Sequence, residues 1–258
     1  MRLKTLLPAT TILTLAGCQT GTPPDTMKAS SDDGREQAEA GKAHSSWPPE
    51  LPLRAIGQEP GWILKLTEDD LDLRYQYGEK RFQAPAPKPE PTDQGYRYTA
   101  TSSEGQELVL HVRDRYCTDS MSGLPYPYTA TVTIENQVLE GCAGDPESLL
   151  TGTRWVVEDL NSQGIIDYSR ITIEFSGNGR IQGNAGCNRY SGNYEITGEG
   201  IDVSELATTS MACAPALMKQ EDRVLDTVAN ARRFGLSETG ALELSSGPER
   251  SLKALPSD

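Results

Sequence analysis

Apolar and polar residues alternate along short segments from residue 51 onward, a pattern typical of β-strands with one buried face. Turn-forming residues such as Gly78, Gly105 and Asn136 separate these segments. Strands are predicted over residues 62–66, 71–75, 96–99, 108–112 and 129–134. The proline-rich stretch at 84–91 cannot donate a regular ladder of hydrogen bonds, so we expect a loop or an edge strand there.

A second series of short strands follows residue 149, with the hairpin turn Ser-Gly-Asn-Gly at 176–179. These strands are predicted over residues 154–158, 168–175, 180–182, 192–196, 234–237, 241–245 and 251–255. The pattern therefore predicts a mainly β protein with two small antiparallel sheet or barrel-like domains, at residues 50–145 and 149–256.

One segment of the second domain has helical rather than strand periodicity, between residues 215 and 233. Apolar side chains fall on one face at helical spacing, at Leu217, Val224, Leu225 and Val228. Pro215 suits the first turn, Arg232 and Arg233 suit the negative end of the helix dipole, and Gly235 suits the stop. We expect this single helix to pack on the second sheet, with the acidic pair Glu221-Asp222 on its solvated face.

The N-terminal residues differ in composition from the rest of the chain. Residues 1–17 combine Arg2 and Lys4 with a short apolar run, as in a secretory signal peptide, and the run is too short for a retained membrane span. Residues 18–49 are poor in apolar side chains, and we expect them to form a disordered tether.

The sequence Leu-Ala-Gly-Cys at 15–18 resembles the lipobox of bacterial lipoproteins. The resemblance implies cleavage before Cys18, diacylglycerol on its thiol and acylation of the new amine, and several acyl chains give firm anchoring. Gln19 stands where an inner-membrane retention signal would have Asp. The expected location is therefore the cell envelope, with the lipid in the outer membrane and the chain facing the periplasm.

The charge of the chain narrows the choice of partners. The chain has 37 acidic and 24 basic residues, a formal net charge of −13. Phosphate backbones and anionic lipid surfaces are bound by basic faces, so nucleic acid is not an expected partner. We expect the membrane, through the lipid anchor, and an unidentified periplasmic protein or small ligand.

Four cysteines remain if Cys18 carries lipid: Cys117, Cys142, Cys187 and Cys213. An even number suits disulfides in an oxidising compartment, and four cysteines allow three pairings. Pairing within each domain, 117 with 142 and 187 with 213, is the pattern we expect. No two cysteines have CxxC spacing, so we expect neither a zinc site nor any other cofactor.

The second domain contains a set of spaced motifs: Gly-Thr-Arg-Trp at 152–155, Gly-Cys-Asn-Arg-Tyr-Ser-Gly-Asn-Tyr at 186–194 and Thr-Ser-Met-Ala-Cys at 209–213. Together they resemble the META domain of HslJ-like bacterial lipoproteins over about residues 149–256. The resemblance implies a small β-rich domain with one helix. It implies no defined reaction, but an association with envelope stress and antibiotic tolerance.

The first domain also resembles a family, one of uncharacterised bacterial lipoprotein domains. The motifs that carry this resemblance lie at residues 54–62, 116–123, 126–128 and 141–143. The family implies no activity. Gly61 stands where its members usually have an aromatic residue.

A catalytic set is missing from the sequence pattern. Ser122 and Ser191 lack the Gly-x-Ser-x-Gly context, and His111 is the single histidine in either predicted domain. We therefore expect a protein that is not an enzyme. The alternatives are a carboxylate-dependent hydrolase, an inhibitor of a hostile hydrolase and a structural factor of the envelope.

One group of residues around the predicted second disulfide forms a candidate binding surface: Asn188, Arg189, Tyr190, Tyr194, Thr209 and Met211. Tyrosine and arginine are enriched at recognition hot spots. In the alternative interpretation the tyrosines pack on the sheet and Asn188 bonds the backbone of a turn.

Overall fold

The computed structural model describes residues 48–247 and 249–257. The predicted signal peptide, Cys18 and the predicted tether up to residue 47 lie outside these residues, and they stay predictions. Within the described ranges no helix is long and apolar enough to cross a membrane. The fold is mainly β, as predicted, with two curled antiparallel sheets and one α-helix.

The first sheet and the ribbon beside it contain the strands β1 (Leu53–Gln58), β2 (Gly61–Leu66), β3 (Asp70–Tyr75), β4 (Lys80–Pro85), β5 (Pro89–Thr92), β6 (Gly95–Thr101), β7 (Glu107–Arg113), β8 (Cys117–Thr118), β9 (Pro125–Tyr126), β10 (Tyr128–Ile134) and β11 (Gln137–Ala143). Nine antiparallel strands form the sheet, in the order β4-β3-β2-β1-β11-β10-β7-β6-β5, and β8 and β9 form the two-stranded ribbon. The proline-containing β5 is an edge strand, where missing amide donors are tolerated.

The first sheet curls around its own apolar core because each strand buries alternate side chains. In β2, Leu64 and Leu66 are buried, whereas Ile63 and Lys65 point outward. Trp62 covers Gly57 on the neighbouring strand and donates its indole N–H to the carbonyl of Glu140 at 3.2 Å. A Cβ atom at Gly57 would lie 2.1 Å from the Trp62 nitrogen, so only glycine fits under the ring.

A short 3-10 helix (Pro146–Leu149) leads into the second sheet, whose elements are β12 (Arg154–Leu160), β13 (Gln163–Gly164), β14 (Thr172–Ser176), β15 (Arg180–Asn184), β16 (Arg189–Thr197), β17 (Gly200–Thr208), α1 (Pro215–Ala229), β18 (Arg233–Leu236), β19 (Leu242–Gly247) and β20 (Arg250–Ser257). The strands are arranged in the order β17-β16-β15-β14-β12-β20-β19-β18, with β13 paired to β12. The outer strands approach each other where the Ile201 amide donates to the Arg232 carbonyl at 3.0 Å.

The helix α1 contacts β17, β19 and β20 and covers one part of the second sheet. It begins at Pro215, as predicted, but it ends at Ala229 rather than near residue 233. Asn230 stops it, with its side-chain amide bonded to the Asp226 carbonyl at 2.8 Å. Arg232 and Arg233 therefore do not belong to the helix, and Arg233 begins β18.

Both predicted disulfides are present, and the pairing within each half of the chain is confirmed. Cys117 on β8 is bonded to Cys142 on β11. Cys187, before β16, is bonded to Cys213, just before α1. The first bond attaches the ribbon to the first sheet, and the second attaches the loop before β16 to the start of the helix.

The ribbon joins the two sheets to each other. Leu124, Tyr126 and Cys142 pack in the apolar core of the second sheet, although they come from the first half of the chain. The hydroxyl of Tyr116 accepts a hydrogen bond from the Leu236 amide on β18 at 2.9 Å. Apolar burial and a hydrogen bond from a backbone amide to a tyrosine hydroxyl therefore hold the two sheets together.

Candidate functional site

A cleft of about 1320 Å³ lies between the two sheets. One wall comes from β1 and the loop between β8 and β9. The other comes from the turn between β16 and β17 and from residues 232–233. Ile56 is half-buried in the wall, Leu124 and Tyr126 line it with little of their surface exposed, and Met121 lies at the rim with 81% of its surface exposed. Both halves of the chain are therefore needed to form this cleft.

Charged side chains of both signs surround the apolar part of the cleft. Arg54 and Arg233 are exposed on opposite walls. Arg232 lies 3.4 Å from Asp202 in an exposed ion pair of the kind that contributes little stability. Burial raises the pKa of the Tyr126 phenol, which keeps its hydroxyl group neutral at physiological pH. The cleft thus offers apolar contact together with separate positive and negative groups.

Asp119 is the buried carboxylate of the cleft. Its Oδ2 accepts hydrogen bonds from the Ser122 amide at 2.8 Å and from the Ser122 hydroxyl at 2.6 Å, and its Oδ1 accepts from Gln58 Nε2 at 2.9 Å. Burial by itself raises the pKa of this carboxyl group, but the hydrogen bonds from Ser122, Gln58 and the Met121 backbone outweigh it and lower the pKa. Asp119 therefore stays ionised and fixes the loop that forms the rim.

The structure divides the six residues of the candidate binding surface into a buried set and an exposed set. Asn188, Tyr190 and Tyr194 are buried, with 2%, 3% and 5% of their surface exposed. They are not surface groups. Arg189, Thr209 and Met211 are exposed, and they form the accessible part of the predicted surface.

Both polar atoms of the Asn188 side chain form hydrogen bonds within the protein. Its Oδ1 accepts from the Met211 amide at 2.7 Å and from the Thr209 hydroxyl at 2.8 Å. Its Nδ2 donates to the Met211 carbonyl at 3.1 Å and to Glu221 Oε1 at 2.8 Å. Because all polar atoms of this side chain are bonded within the protein, Asn188 has a structural role, as in the interpretation that it bonds the backbone of a turn.

Glu221 is buried in α1, and the expectation that it lies on a solvated helix face is wrong. Its Oε2 accepts from the backbone amides of Cys187 and Asn188 at 3.2 and 2.6 Å, and its Oε1 accepts from Asn188 Nδ2. The neighbouring Gln220 is buried too, and its Oε1 accepts from the Ile166 amide at 2.8 Å. Two consecutive helix residues therefore hold two separate loops.

The helical spacing between Glu221 and the apolar residues after it could have predicted that Glu221 is buried. The residue lies three and seven positions before Val224 and Val228, on the apolar face of the helix. A charged residue on a buried face needs specific partners, and the loop amides near Cys187 supply them.

Both tyrosines of the candidate surface anchor strands. The Tyr190 hydroxyl donates to the Thr172 carbonyl at 3.1 Å, and the Tyr194 hydroxyl donates to Glu147 Oε1 at 2.6 Å. Burial raises the pKa of both phenols, and for Tyr194 the bond to Glu147 raises it further. Neither group is available for proton transfer near neutral pH.

Within the described ranges, no group of three or more His, Cys, Asp and Glu side chains is arranged to hold a metal ion. His111 lies half-buried on β7, outside the cleft. Burial, together with the charges of Arg97 and Arg113, lowers the pKa of its imidazole. His111 is therefore uncharged at neutral pH, and it does not lie beside the carboxylates that line the cleft.

Comparison with known proteins finds similarity for the C-terminal part of the chain. Residues 148–258 match the model of the META domain. A protein from Burkholderia xenovorans, with a structure determined by NMR, is 24% identical over 43% of this chain and 86% of its own, with a TM-score of 0.36. A second protein studied by NMR is 25% identical over 42% and 92%, also with a TM-score of 0.36. No curated protein matches the chain.

The Glu221 network predicts an unequal effect of two neighbouring substitutions. Glu221→Gln should lower the free energy of unfolding by about 2–3 kcal/mol, because hydrogen bonds to a buried charge are lost or weakened. Asp222→Asn, next to it on the exposed side, should change the free energy by less than about 0.5 kcal/mol. Urea denaturation of both variants measures the difference, and equal effects would contradict the structural role of Glu221.

The lowered pKa of Asp119 predicts a pH-dependent contribution to stability. The contribution is complete above the ordinary carboxyl pKa of 3.8 and is lost as the pH falls through the lower pKa of the folded state. At pH 7, Asp119→Asn should therefore cost about 1–3 kcal/mol, and the cost should shrink in acid. Unfolding at several pH values tests this, with the exposed Asp202→Asn as the control that should show little change at any pH.

Proposed function

We propose that this chain, with a META domain at residues 148–258, is a non-enzymatic, lipid-anchored binding protein of the bacterial cell envelope. In this proposal Cys18 carries the lipid, the anchor lies in the outer membrane, and the folded part faces the periplasm. The two sheets bind a periplasmic protein or ligand in the cleft between them.

The cleft is the observation that carries the proposal. Its volume of about 1320 Å³ exceeds the roughly 300–1,000 Å³ of ordinary small-molecule pockets, which favours an extended ligand such as a segment of peptide. Apolar contact from Ile56 and Met121 would supply affinity, and Arg54 and Arg233 on opposite walls would orient charged groups of the ligand.

The cysteines support the proposed compartment. Disulfides persist in oxidising surroundings such as the bacterial periplasm and are rare in the cytosol. Both pairs, Cys117–Cys142 and Cys187–Cys213, are oxidised here. An exported chain with a lipobox at residues 15–18 would meet such surroundings after crossing the inner membrane.

The state of the cleft residues favours binding over hydrolysis. A general acid needs a raised carboxyl pKa, whereas the hydrogen bonds of Asp119 lower its pKa. Ser122 donates its hydroxyl to Asp119 and has no histidine partner in the described part of the chain. We extend the proposal to a role in envelope stress or antibiotic tolerance, the processes with which META-domain lipoproteins are associated.

The lipid anchor is tested by the mass of the mature protein. The wild-type chain should begin at Cys18 and carry the added mass of diacylglycerol and an N-acyl chain. Cys18→Ser should remain an unprocessed precursor without acyl groups. Gln19→Asp should keep the lipid but move to the inner-membrane fraction, which makes it the matched control. A wild-type mass without lipid would contradict the anchor.

The cleft is tested by photo-crosslinking in intact cells. A photoreactive residue at Met121, on the rim, should yield a specific adduct. The same residue at Tyr77 should not, because Tyr77 is 78% exposed but does not line the cleft. Met211, 56% exposed beside the second disulfide, serves as a third position. Mass spectrometry of each adduct identifies the bound molecule.

The three positions separate the possible outcomes. An adduct at Met121 alone supports binding in the cleft. An adduct at Met211 alone would place binding at the accessible part of the candidate surface and contradict the cleft. Identical adducts at Met121 and Tyr77 would show non-specific contact, and the absence of any adduct would contradict the binding proposal.

A further inference from the structure

A second pocket, of about 510 Å³, lies on the second sheet where β12, β14, β15 and β16 run side by side. We call it the arginine pocket, and it is separate from the cleft. Strand register brings its polar residues together, because Arg154, Glu174 and Gln182 are opposite one another on three strands. Thr172, Asn184 and Arg189 form the next row, two residues along on the same strand face.

Glu174, the carboxylate of the arginine pocket, is already neutralised. Arg154 forms a salt bridge with its Oε1. Gln182 donates from Nε2 to its Oε2 at 3.2 Å. Both carboxylate oxygens are therefore occupied, and Glu174 leaves little negative charge to repel an anion.

Two further arginines of the pocket have no acidic partner. Arg170 and Arg189 line it and are exposed, and no carboxylate in the described part of the chain lies within ion-pair distance of either guanidinium. The chain as a whole carries a net charge of −13. Although the protein is acidic, this pocket contains two guanidinium groups without acidic partners, and these groups can bind an anion.

Neutral donors lie between the two arginines. The Oδ1 atom of Asn184 accepts from the Gly186 amide at 2.7 Å, an arrangement that leaves its Nδ2 group as a donor. The hydroxyl of Thr172 accepts from the Asn184 amide at 3.2 Å and keeps its own hydrogen for donation. The pocket therefore offers two guanidinium groups, one amide and one hydroxyl.

The floor of the arginine pocket is rigid. Tyr190 lies beneath it, buried over Gly183, and a Cβ atom at Gly183 would lie 2.7 Å from the tyrosine oxygen. The Tyr190 hydroxyl is bonded to the Thr172 carbonyl, which locks β16 to β14 across β15. Donors on such a scaffold need little reorganisation to bind a ligand.

We propose that the arginine pocket binds the phosphoryl group of a small ligand. Two guanidinium charges match the charge of about −2 of a phosphate at pH 7. Four donor groups suit the several acceptor oxygens of a phosphoryl group better than the two of a carboxylate. The acidity of the remaining surface repels extended polyanions, so a small molecule fits and a nucleic acid does not.

Calorimetric titration of the full mature chain in detergent, at low ionic strength and pH 7.5, tests the proposal. The probes are inorganic phosphate, glycerol 3-phosphate and acetate. Both phosphates should bind more tightly than acetate. The ratio of the dissociation constants for inorganic phosphate and glycerol 3-phosphate shows whether free phosphate or a phosphate ester is the preferred ligand. Arg170→Ala and Arg189→Ala should each weaken phosphate binding about tenfold or more, the effect of one lost charge-assisted contact.

Two variants make the result specific. Arg74→Ala removes the same charge from an exposed position on β3, outside the pocket, and should change the phosphate affinity by less than about twofold. Glu174→Gln removes the negative charge and frees the Arg154 guanidinium, so phosphate affinity should rise. A gain of binding cannot come from a misfolded protein, which separates a ligand site from a structural role.

Three results would overturn the proposal. Phosphate affinity that is unchanged in both Arg170→Ala and Arg189→Ala would show that the pocket is not the site. An equal loss in Arg74→Ala would show only a general effect of charge. Acetate binding as tight as phosphate binding would exclude a phosphoryl group as the recognised chemistry.

Discussion

The hydrogen bonds of the buried Glu221 carboxylate are the interaction on which the attachment of α1 to the second sheet depends. The carboxylate holds the loop at Cys187 and Asn188 against α1, and Asn188 in turn holds the segment at Thr209 and Met211. The disulfide Cys187–Cys213 closes the same loop covalently. Because an unpaired buried charge is costly, Glu221 holds α1 to the loop at 187–188 and, through Asn188, to the segment at 209–211.

This constraint explains why a conspicuous motif is mostly hidden. The Gly-Cys-Asn-Arg-Tyr segment at 186–190 has the composition of a recognition surface, yet Asn188 and Tyr190 point into the protein. Arg189, between them, points outward because successive strand residues face opposite sides. The motif thus fixes the strand from inside and places one arginine outside, in the arginine pocket.

The cleft, in contrast, forms where the two sheets meet. The ribbon of β8 and β9 brings Leu124 and Tyr126 into the core of the second sheet while the disulfide Cys117–Cys142 keeps it on the first. Asp119 and Ser122 fix the loop at its tip, which becomes the rim of the cleft. The segment that makes the interface therefore also shapes the proposed binding site.

Local pattern was sufficient to predict the β class, most strands and the start of α1 at Pro215, since alternation and a proline act over short distances along the chain. The even cysteine count left three pairings open, and the confirmed pairing followed from placing two cysteines in each predicted domain. Strand β17 is among the strands that were not predicted, because its side chains are mostly exposed and do not alternate. Neither the cleft nor the arginine pocket has a local signal. Arg154, Arg170 and Arg189 are far apart along the chain, and only strand pairing across β12, β14, β15 and β16 brings them to one place.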